Sequence, residues 1–308
     1  MAQSSIRIGS RGSPLALAQA NMVRTQLAAA HGFPLDTIKI HVIRTTGDAI
    51  QDRPLSEVGG KGLFTKEIEQ ALLDNDIDLA VHSSKDMLTV LPAGLMLAAC
   101  LPREDPRDVF IGRSARMIAE LPQGAVVGTA SLRRQAQLKM LRPDLNVVPL
   151  RGNVETRLKK IAEGAAEATI LAFAGLKRLG LAHVATAVLD PAQFLPAVGQ
   201  GAIGIETRVD DGKTRRLVAA INDAPTLTAV TAERAFLAVL DGSCKTPIAG
   251  HAQVTGSGLA FRGLIARPDG SRAFEAIRQG DAADAAALGA EAGAELKARG
   301  GADFFDLH

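Results

Sequence analysis

The stretch SIRIGSRGSPLALAQANMVRTQLAAAH, residues 5–31, joins a strand pattern directly to a helix pattern. Its first seven residues alternate apolar and polar side chains, which is typical of a β-strand. Ser13 then stands where a helix N-cap is expected, and Pro14 occupies the first helical position. A strand followed at once by a helix is the repeating unit of α/β proteins.

The same alternation of strand and helix patterns continues along most of the chain. Residues 37–45, 77–83 and 95–101 resemble strands, and residues 63–76 place apolar side chains on one helical face. Alternation of this kind favours an α/β fold with largely parallel sheets.

Two segments interrupt the pattern and suggest domain boundaries. PREDPRD, residues 102–108, is rich in proline and charge, and FLPAVGQGAIGIETR, residues 194–208, resembles a second crossing followed by a strand. After residue 221 the pattern changes to a helix and antiparallel hairpin strands. We therefore predict two α/β domains joined by two crossings, 1–101 with 202–220 and 102–201, and a small C-terminal α+β domain, 221–308.

Composition narrows the class of function. The net charge of +2 is too small to indicate a polyanion partner, and Trp and Tyr are absent, so no aromatic platform for stacking nucleic-acid bases is expected. Scattered histidines without HExxH or CxxC argue against a transition-metal site. With no long apolar run, no apolar N-terminal leader and only two cysteines, we expect a cytoplasmic protein outside the membrane, with reduced thiols.

Three strand-to-helix junctions carry the same combination of groups, namely the N–H groups at a helix start, a polar side chain and a guanidinium. Such junctions suit carboxylates or phosphates, although Ser and Asn could be ordinary N-caps and the arginines solvated. The residues are Arg11 and Ser13 at the first junction, Thr129, Ser131, Arg133 and Arg134 at the second, and Arg151, Asn153 and Arg157 at the third.

Glycine-rich segments do not indicate a nucleotide site. No GxxxxGK[ST] motif is present, and the GxGxxG match at residues 199–204 precedes a strand instead of following one. A nucleotide-dependent enzyme is therefore disfavoured.

Two further residues are candidates for a direct role in a reaction. Asp86 follows an apolar strand beside Lys85, where nearby cations would keep its carboxyl ionised and able to stabilise a cationic intermediate, unless the pair is a solvated turn. Cys244 lies in DGSCKTPIAG, residues 241–250, whose turn-forming residues predict an accessible thiol. Cys100 ends an apolar run and is expected in a core.

Taken in order and spacing, eight motifs of this chain resemble the porphobilinogen deaminase (hydroxymethylbilane synthase) family over nearly its whole length. They are RGSPLALAQ, GGKGLFTKEIE, VHSSKDM, GTASLRRQAQL, LRGNVETRL, LAFAGLKRLG, FLPAVGQGAIGIE and DGSCKTPIAG. The resemblance implies a monomer of two periplasmic-binding-protein-like α/β domains and a third, smaller domain.

The resemblance also implies a reaction and a cofactor. Four porphobilinogen molecules are joined head to tail on a dipyrromethane primer, ammonia is released, and water frees hydroxymethylbilane. Cys244 matches the cysteine that holds the primer by a thioether, and Asp86 matches the catalytic aspartate, which assists deamination and coupling.

Motif matching extends to residues around the substrate. Those implied to contact side-chain carboxylates, the cofactor or the growing chain are Arg11, Ser13, Lys85, Thr129, Ser131, Arg133, Arg134, Arg151, Arg157 and Arg178. Gln19 and Gln200 match cleft contacts, and Lys61 matches a residue of a mobile lid. The alternative from the residues alone is a two-lobe protein that binds a small polycarboxylate without catalysis, which would need neither Cys244 nor Asp86.

Overall fold

A computed structural model describes residues 5–49, 62–242, 246–301 and 304–305. The α-helices and β-strands are numbered here in chain order. They are β1 Ile6–Ser10, α1 Pro14–His31, β2 Ile38–Val42, α2 Thr46–Ala49, α3 Lys66–Leu73, β3 Leu79–Ser83, β4 Leu95–Cys100, β5 Asp108–Gly112, β6 Val126–Gly128, α4 Leu132–Leu141, β7 Asn146–Val148, α5 Val154–Ala162, β8 Ala168–Ala172, α6 Phe173–Arg178, β9 Ala187–Val188, β10 Ile203–Arg208, α7 Gly212–Ala219, α8 Ala224–Val239, β11 Ile248–Thr255, β12 Gly258–Ala266, β13 Ala273–Asp281 and α9 Ala285–Gly300.

The chain separates into two compact units. Unit 1 contains Met1–Ile50, Gly60–Glu104 and Ala202–Leu227, and unit 2 contains the remainder, including the C-terminal strands. Each unit has an α/β sheet, with strand order β2-β1-β3-β10-β4 in unit 1 and β7-β6-β8-β5-β9 in unit 2. Unit 2 also holds the sheet β11-β12-β13, on which α9 packs. The predicted fold class, two α/β sheets and a small C-terminal α+β region, is confirmed, while the division into three domains stays a prediction.

The prediction of largely parallel sheets is wrong for one half of each sheet. In unit 1, β1 pairs in parallel with β2 and β3, but β10 runs antiparallel to both β3 and β4. In unit 2, β5 is likewise antiparallel to β8 and β9. Both β5 and β10 follow a crossing segment without a crossover helix. A parallel strand needs such a connection to bring the chain back to the end of the sheet where its neighbours begin, so β5 and β10 run antiparallel to their neighbours.

Apolar residues on the strands and helices form separate cores in the two units. In unit 1, α1 buries Ala20, Val23 and Leu27 against β1 and β3, as the helical spacing predicts. In unit 2, Phe236 and Phe261 lie at the centre of the C-terminal core, with ring centroids 5.0 Å apart. Cys100 is fully buried, which confirms its expected place in a core.

Candidate active site

A pocket in unit 1 lies where β1 and β3 end. It has a volume of about 50 Å³, and Arg11, Ser13, Gln19 and Asp86 of the predicted site residues line it. The carboxyl ends of neighbouring parallel strands meet at one edge of a sheet, which explains how residues from two distant segments share the pocket. Four of the residues that the motif match implies therefore line one pocket.

The pocket wall is held by contacts between α1 and the end of β3. Gln19 is buried, and its Nε2 donates to Ser83 Oγ over 2.8 Å. The Arg11 guanidinium carbon lies 4.2 Å from the centroid of the Phe64 ring, close enough for a cation–π contact. Packing on an aromatic face restrains the orientation of the guanidinium.

Asp86 ends a short 3-10 turn, Ser84–Asp86, which directly follows β3. The turn lies close to β10, because Gly204 has no side chain there. A Cβ at position 204 would come within 3.0 Å of Ser84 Oγ and 2.9 Å of Met87 Sδ. Lys85 belongs to the same turn but is not among the residues that line the pocket.

Unit 2 contains a second group of predicted site residues, which meet on the buried carboxylate of Asp108. Arg133 Nη1 lies 2.7 Å from Asp108 Oδ2, and Arg134 Nη2 lies 2.8 Å from Oδ1. Gln200 donates to the same carboxylate over 3.0 Å. The side chains of Arg133 and Asp108 are 5 % and 0 % exposed, so this ion pair is almost free of water.

Charge and burial oppose each other in this group. Burial lowers the pKa of the Arg133 guanidinium, Asp108 acts in the opposite direction, and the nearby Arg134 lowers it again. Within these three side chains two positive charges face one negative charge. Such an arrangement favours the approach of a further carboxylate.

The hydroxyl and amide residues of the three junctions act as helix N-caps. Ser13 Oγ accepts from the Ala16 N–H, and Ser131 Oγ accepts from the Arg134 N–H. At the third junction Asn153 Oδ1 accepts from the Thr156 N–H over 2.8 Å. Thr129 is buried and accepts from the Ser131 N–H over 3.2 Å.

The remaining predicted arginines of unit 2 are Arg151, Arg157 and Arg178, and the side chains of the last two contact the backbone. Arg157 Nε donates to Gly152 O over 2.8 Å, and Arg178 Nη2 donates to Gly201 O over 2.6 Å. The carbonyl of Arg151 accepts from Lys160 Nζ. Cys244 and Lys61 lie outside the described residues.

Asp108 is not among the predicted site residues. It closes the charged, proline-rich segment PREDPRD and opens the strand pattern DVFIG, which the structure confirms as β5. An aspartate at the start of an apolar strand was the signal that could have found it. In unit 1, His82 is a further residue that is not among the predicted site residues, and it lines the pocket of Asp86.

The described residues were compared with the requirements of a metal site and of a membrane span by their side chains and helix lengths alone. No group of three or more His, Cys, Asp or Glu side chains could hold a metal ion there. Within the same ranges, every helix is too short or too polar to cross a bilayer.

Comparison with known proteins decides the family. The model of the porphobilinogen deaminase, dipyromethane cofactor binding domain matches residues 6–216, and the model of the porphobilinogen deaminase C-terminal domain matches residues 227–298. The chain belongs to the porphobilinogen deaminase family. It is 59 % identical over 304 residues to the porphobilinogen deaminase of Paracoccus denitrificans, covering 99 % of this chain and 97 % of that protein. It is 62 % identical over 300 residues to that of Nitrobacter winogradskyi, covering 97 % and 95 %.

Among solved structures, the chain is similar to a periplasmic substrate-binding protein of an ABC transporter from Coxiella burnetii. The TM-score is 0.45 at 12 % identity, and the match covers 74 % of this chain and 96 % of that one. A nutrient-binding protein from Burkholderia cenocepacia gives a TM-score of 0.44 at 13 % identity, with 72 % and 93 % covered.

Proposed function

We propose that the unit 1 pocket around Asp86 is where this member of the porphobilinogen deaminase family condenses its substrate. The family reaction is a transfer: four porphobilinogen molecules are joined onto dipyrromethane, ammonia is released, and hydrolysis gives hydroxymethylbilane. The observation that carries the proposal is the shared pocket, because it places one carboxylate, Asp86, beside a guanidinium, Arg11. A protein that only bound a polycarboxylate would gain nothing from that carboxylate, so the binding-protein alternative is disfavoured.

The two charged groups of the pocket suit different parts of porphobilinogen. Arg11 can form a two-pronged contact with the acetate or propionate group of a pyrrole ring. Asp86 can accept a hydrogen bond from the pyrrole N–H and stabilise the positive charge that develops on the ring as the amine leaves. The same carboxylate can take the proton that the attacked ring carbon releases.

The unit 2 arginines fit the carboxylates of the dipyrromethane cofactor. When bound, dipyrromethane supplies the nucleophilic ring carbon that starts the chain. Arg133 and Arg134 are already buried and oriented by Asp108, and their excess positive charge suits a carboxylate of the cofactor. We assign the cofactor thioether to Cys244 on the motif match alone.

The other candidate residues have proposed supporting roles. Ser13 and Ser131 cap the helices that begin at the two sites, and Gln19 fixes the pocket wall. We assign contacts with the cofactor or the growing chain to Lys61, Lys85, Thr129, Arg151, Arg157, Arg178 and Gln200. We further propose that the chain works as a cytoplasmic monomer with a small-molecule substrate and without nucleic acid.

Substitution of Asp86 tests the proposal. We expect Asp86→Asn to lower the rate of ammonia release from porphobilinogen by about 10²- to 10⁴-fold, because the neutral amide cannot take a proton or stabilise a cation. Circular dichroism should show an unchanged fold. Asp36→Asn, which alters an exposed carboxylate of the same unit, is the matched control and should keep the wild-type rate. A near-normal rate for Asp86→Asn would remove Asp86 from the chemistry.

A further inference from the structure

Two ionisable side chains, His82 and Glu206, are buried together at the wall of the Asp86 pocket. His82 Nε2 lies 3.1 Å from Glu206 Oε2, and the two side chains are 3 % and 0 % exposed. Among the described residues, neither oxygen of Glu206 accepts a well-aligned hydrogen bond. Glutamate is almost never fully buried unless it is paired, so the imidazole is the group that compensates this carboxylate.

The register of β3 and β10 explains why these side chains meet. The strands are antiparallel, with His82 opposite Gly204 and Glu206 opposite Ala80. Residues two apart on a strand face the same side, so His82 and Glu206 are diagonal neighbours on one face of the sheet. Gly204, which is opposite His82 and two residues before Glu206, has no side chain on this face. The same glycine permits the close approach of the Ser84–Asp86 turn.

Burial makes each of these side chains depend on the other, because an ionisable group that is buried without a partner is costly. Apolar residues often replace such a pair without loss of stability, so the fold alone does not require it.

A second buried glutamate shows what a purely structural role looks like. Glu233 in unit 2 is also fully buried, but its oxygens accept from the backbone N–H groups of Gly199 and Ala252 over 2.6 and 2.7 Å. It links the turn at Gly199 to strand β11. In the part of the chain that the structure describes, Glu206 accepts from no backbone N–H. Its contact is with His82, whose side chain lines the pocket.

We propose that Glu206 and His82 are a pair of positioning residues for the condensation reaction. Glu206 fixes the orientation of the imidazole, and the fixed imidazole holds the pocket wall and the turn from which Asp86 projects. The proposal deepens the function proposed above and depends on it. It assigns a role in the reaction to two residues that are far apart in sequence and adjacent across β3 and β10.

Kinetics of three variants test whether the two residues act as a unit. We expect His82→Gln and Glu206→Gln each to lower kcat by roughly 10- to 100-fold, since small displacements of a catalytic group cost that much. KM for porphobilinogen should change by less than about threefold, because the substrate-binding arginine is untouched. The kcat of the double variant should be no lower than that of the more impaired single variant, because the second substitution removes a contact that is already broken.

Thr207→Val is the matched control. Thr207 is the next residue of β10, is equally buried, and its Oγ1 has no hydrogen-bond partner in the part of the chain that the structure describes. Successive residues of a strand face opposite sides, so this substitution changes the other face of the sheet. We expect kcat and KM of this variant to equal those of the wild type.

The ¹⁵N resonances of the imidazole give a readout that does not depend on activity. The chain has six histidines, and the signal of His82 is the one that disappears in His82→Gln. It should shift in Glu206→Gln and remain in place in Thr207→Val. A signal that does not respond to Glu206→Gln would overturn the pairing.

Additive losses in kcat, or a wild-type kcat in Glu206→Gln, would overturn the positioning role. If Glu206→Gln does not fold, the apolar double variant His82→Phe with Glu206→Leu takes its place, and a wild-type kcat there has the same meaning. Asp86→Asn, measured alongside, separates the two proposals. Activity in Asp86→Asn defeats the proposed function, whereas an inactive Asp86→Asn with a fully active Glu206→Gln defeats only the role of the pair.

Discussion

Two junctions of this chain share one sequence pattern and differ in how their positive charge is compensated. In unit 1, Arg11 precedes the N-cap Ser13, and its guanidinium lies on the Phe64 ring in a pocket wall. In unit 2, Arg133 and Arg134 follow the N-cap Ser131 and are buried against Asp108. A strand, a cap and an arginine therefore predict the same local structure at both junctions, while the surroundings decide whether the guanidinium packs on an aromatic ring or pairs with a buried carboxylate.

The largest effect is expected where the charges are buried. Asp108→Asn should lower the free energy of unfolding by about 3–5 kcal/mol, because two buried guanidiniums lose their carboxylate. Urea denaturation measures this loss. Asp105→Asn is the matched control: Asp105 pairs with the more exposed Arg107, and its removal should cost less than about 1 kcal/mol. Equal losses for the two variants would remove the distinction between a buried and an exposed arginine partner.

A smaller effect, and one on activity instead of stability, is expected at the unit 1 junction. Arg11→Gln should lower kcat/KM for porphobilinogen by about 10- to 100-fold, the loss expected for one charged hydrogen bond of roughly 1.5–3 kcal/mol. Thermal unfolding should be unchanged. Arg216→Gln, at an exposed position of α7 in the same unit, should leave kcat/KM unaltered. A destabilised Arg11→Gln with normal kinetics would give Arg11 a structural role and remove it from substrate binding.

The smallest effect should be common to both junctions. Ser13→Ala and Ser131→Ala each remove an N-cap acceptor and should each lower the free energy of unfolding by about 1 kcal/mol. Chemical denaturation of the two variants checks this. A loss at only one junction would show that the caps, and not only the arginines, differ in role.

The local features of the fold could be predicted from the sequence. Ser13 before Pro14 correctly marks the start of α1, and the alternation after residue 247 correctly predicts the three antiparallel strands. The direction of β5 and β10 could not be predicted, because an apolar run has the same pattern whether its neighbours are parallel or antiparallel.

The same limit applies to the site. The grouping of Arg11, Ser13, Gln19 and Asp86 is consistent with the motif positions. The partners Asp108 and Glu206 escaped prediction, because each depends on which strands lie side by side and in what register. Glu206 in particular lies in the apolar strand IGIETR, where only the pairing with β3 reveals its contact with His82.

The central claim is that unit 1 carries out the chemistry while the unit 2 arginines hold the cofactor. Intact mass of purified Asp86→Asn and Arg133→Leu, with Cys244→Ser as the control that cannot be loaded, tests it most directly. We expect a surplus of two condensed pyrrole units on Asp86→Asn, and a protein mass without that surplus for Arg133→Leu and Cys244→Ser. A full surplus on Arg133→Leu together with a bare Asp86→Asn would reverse the roles assigned to the two units.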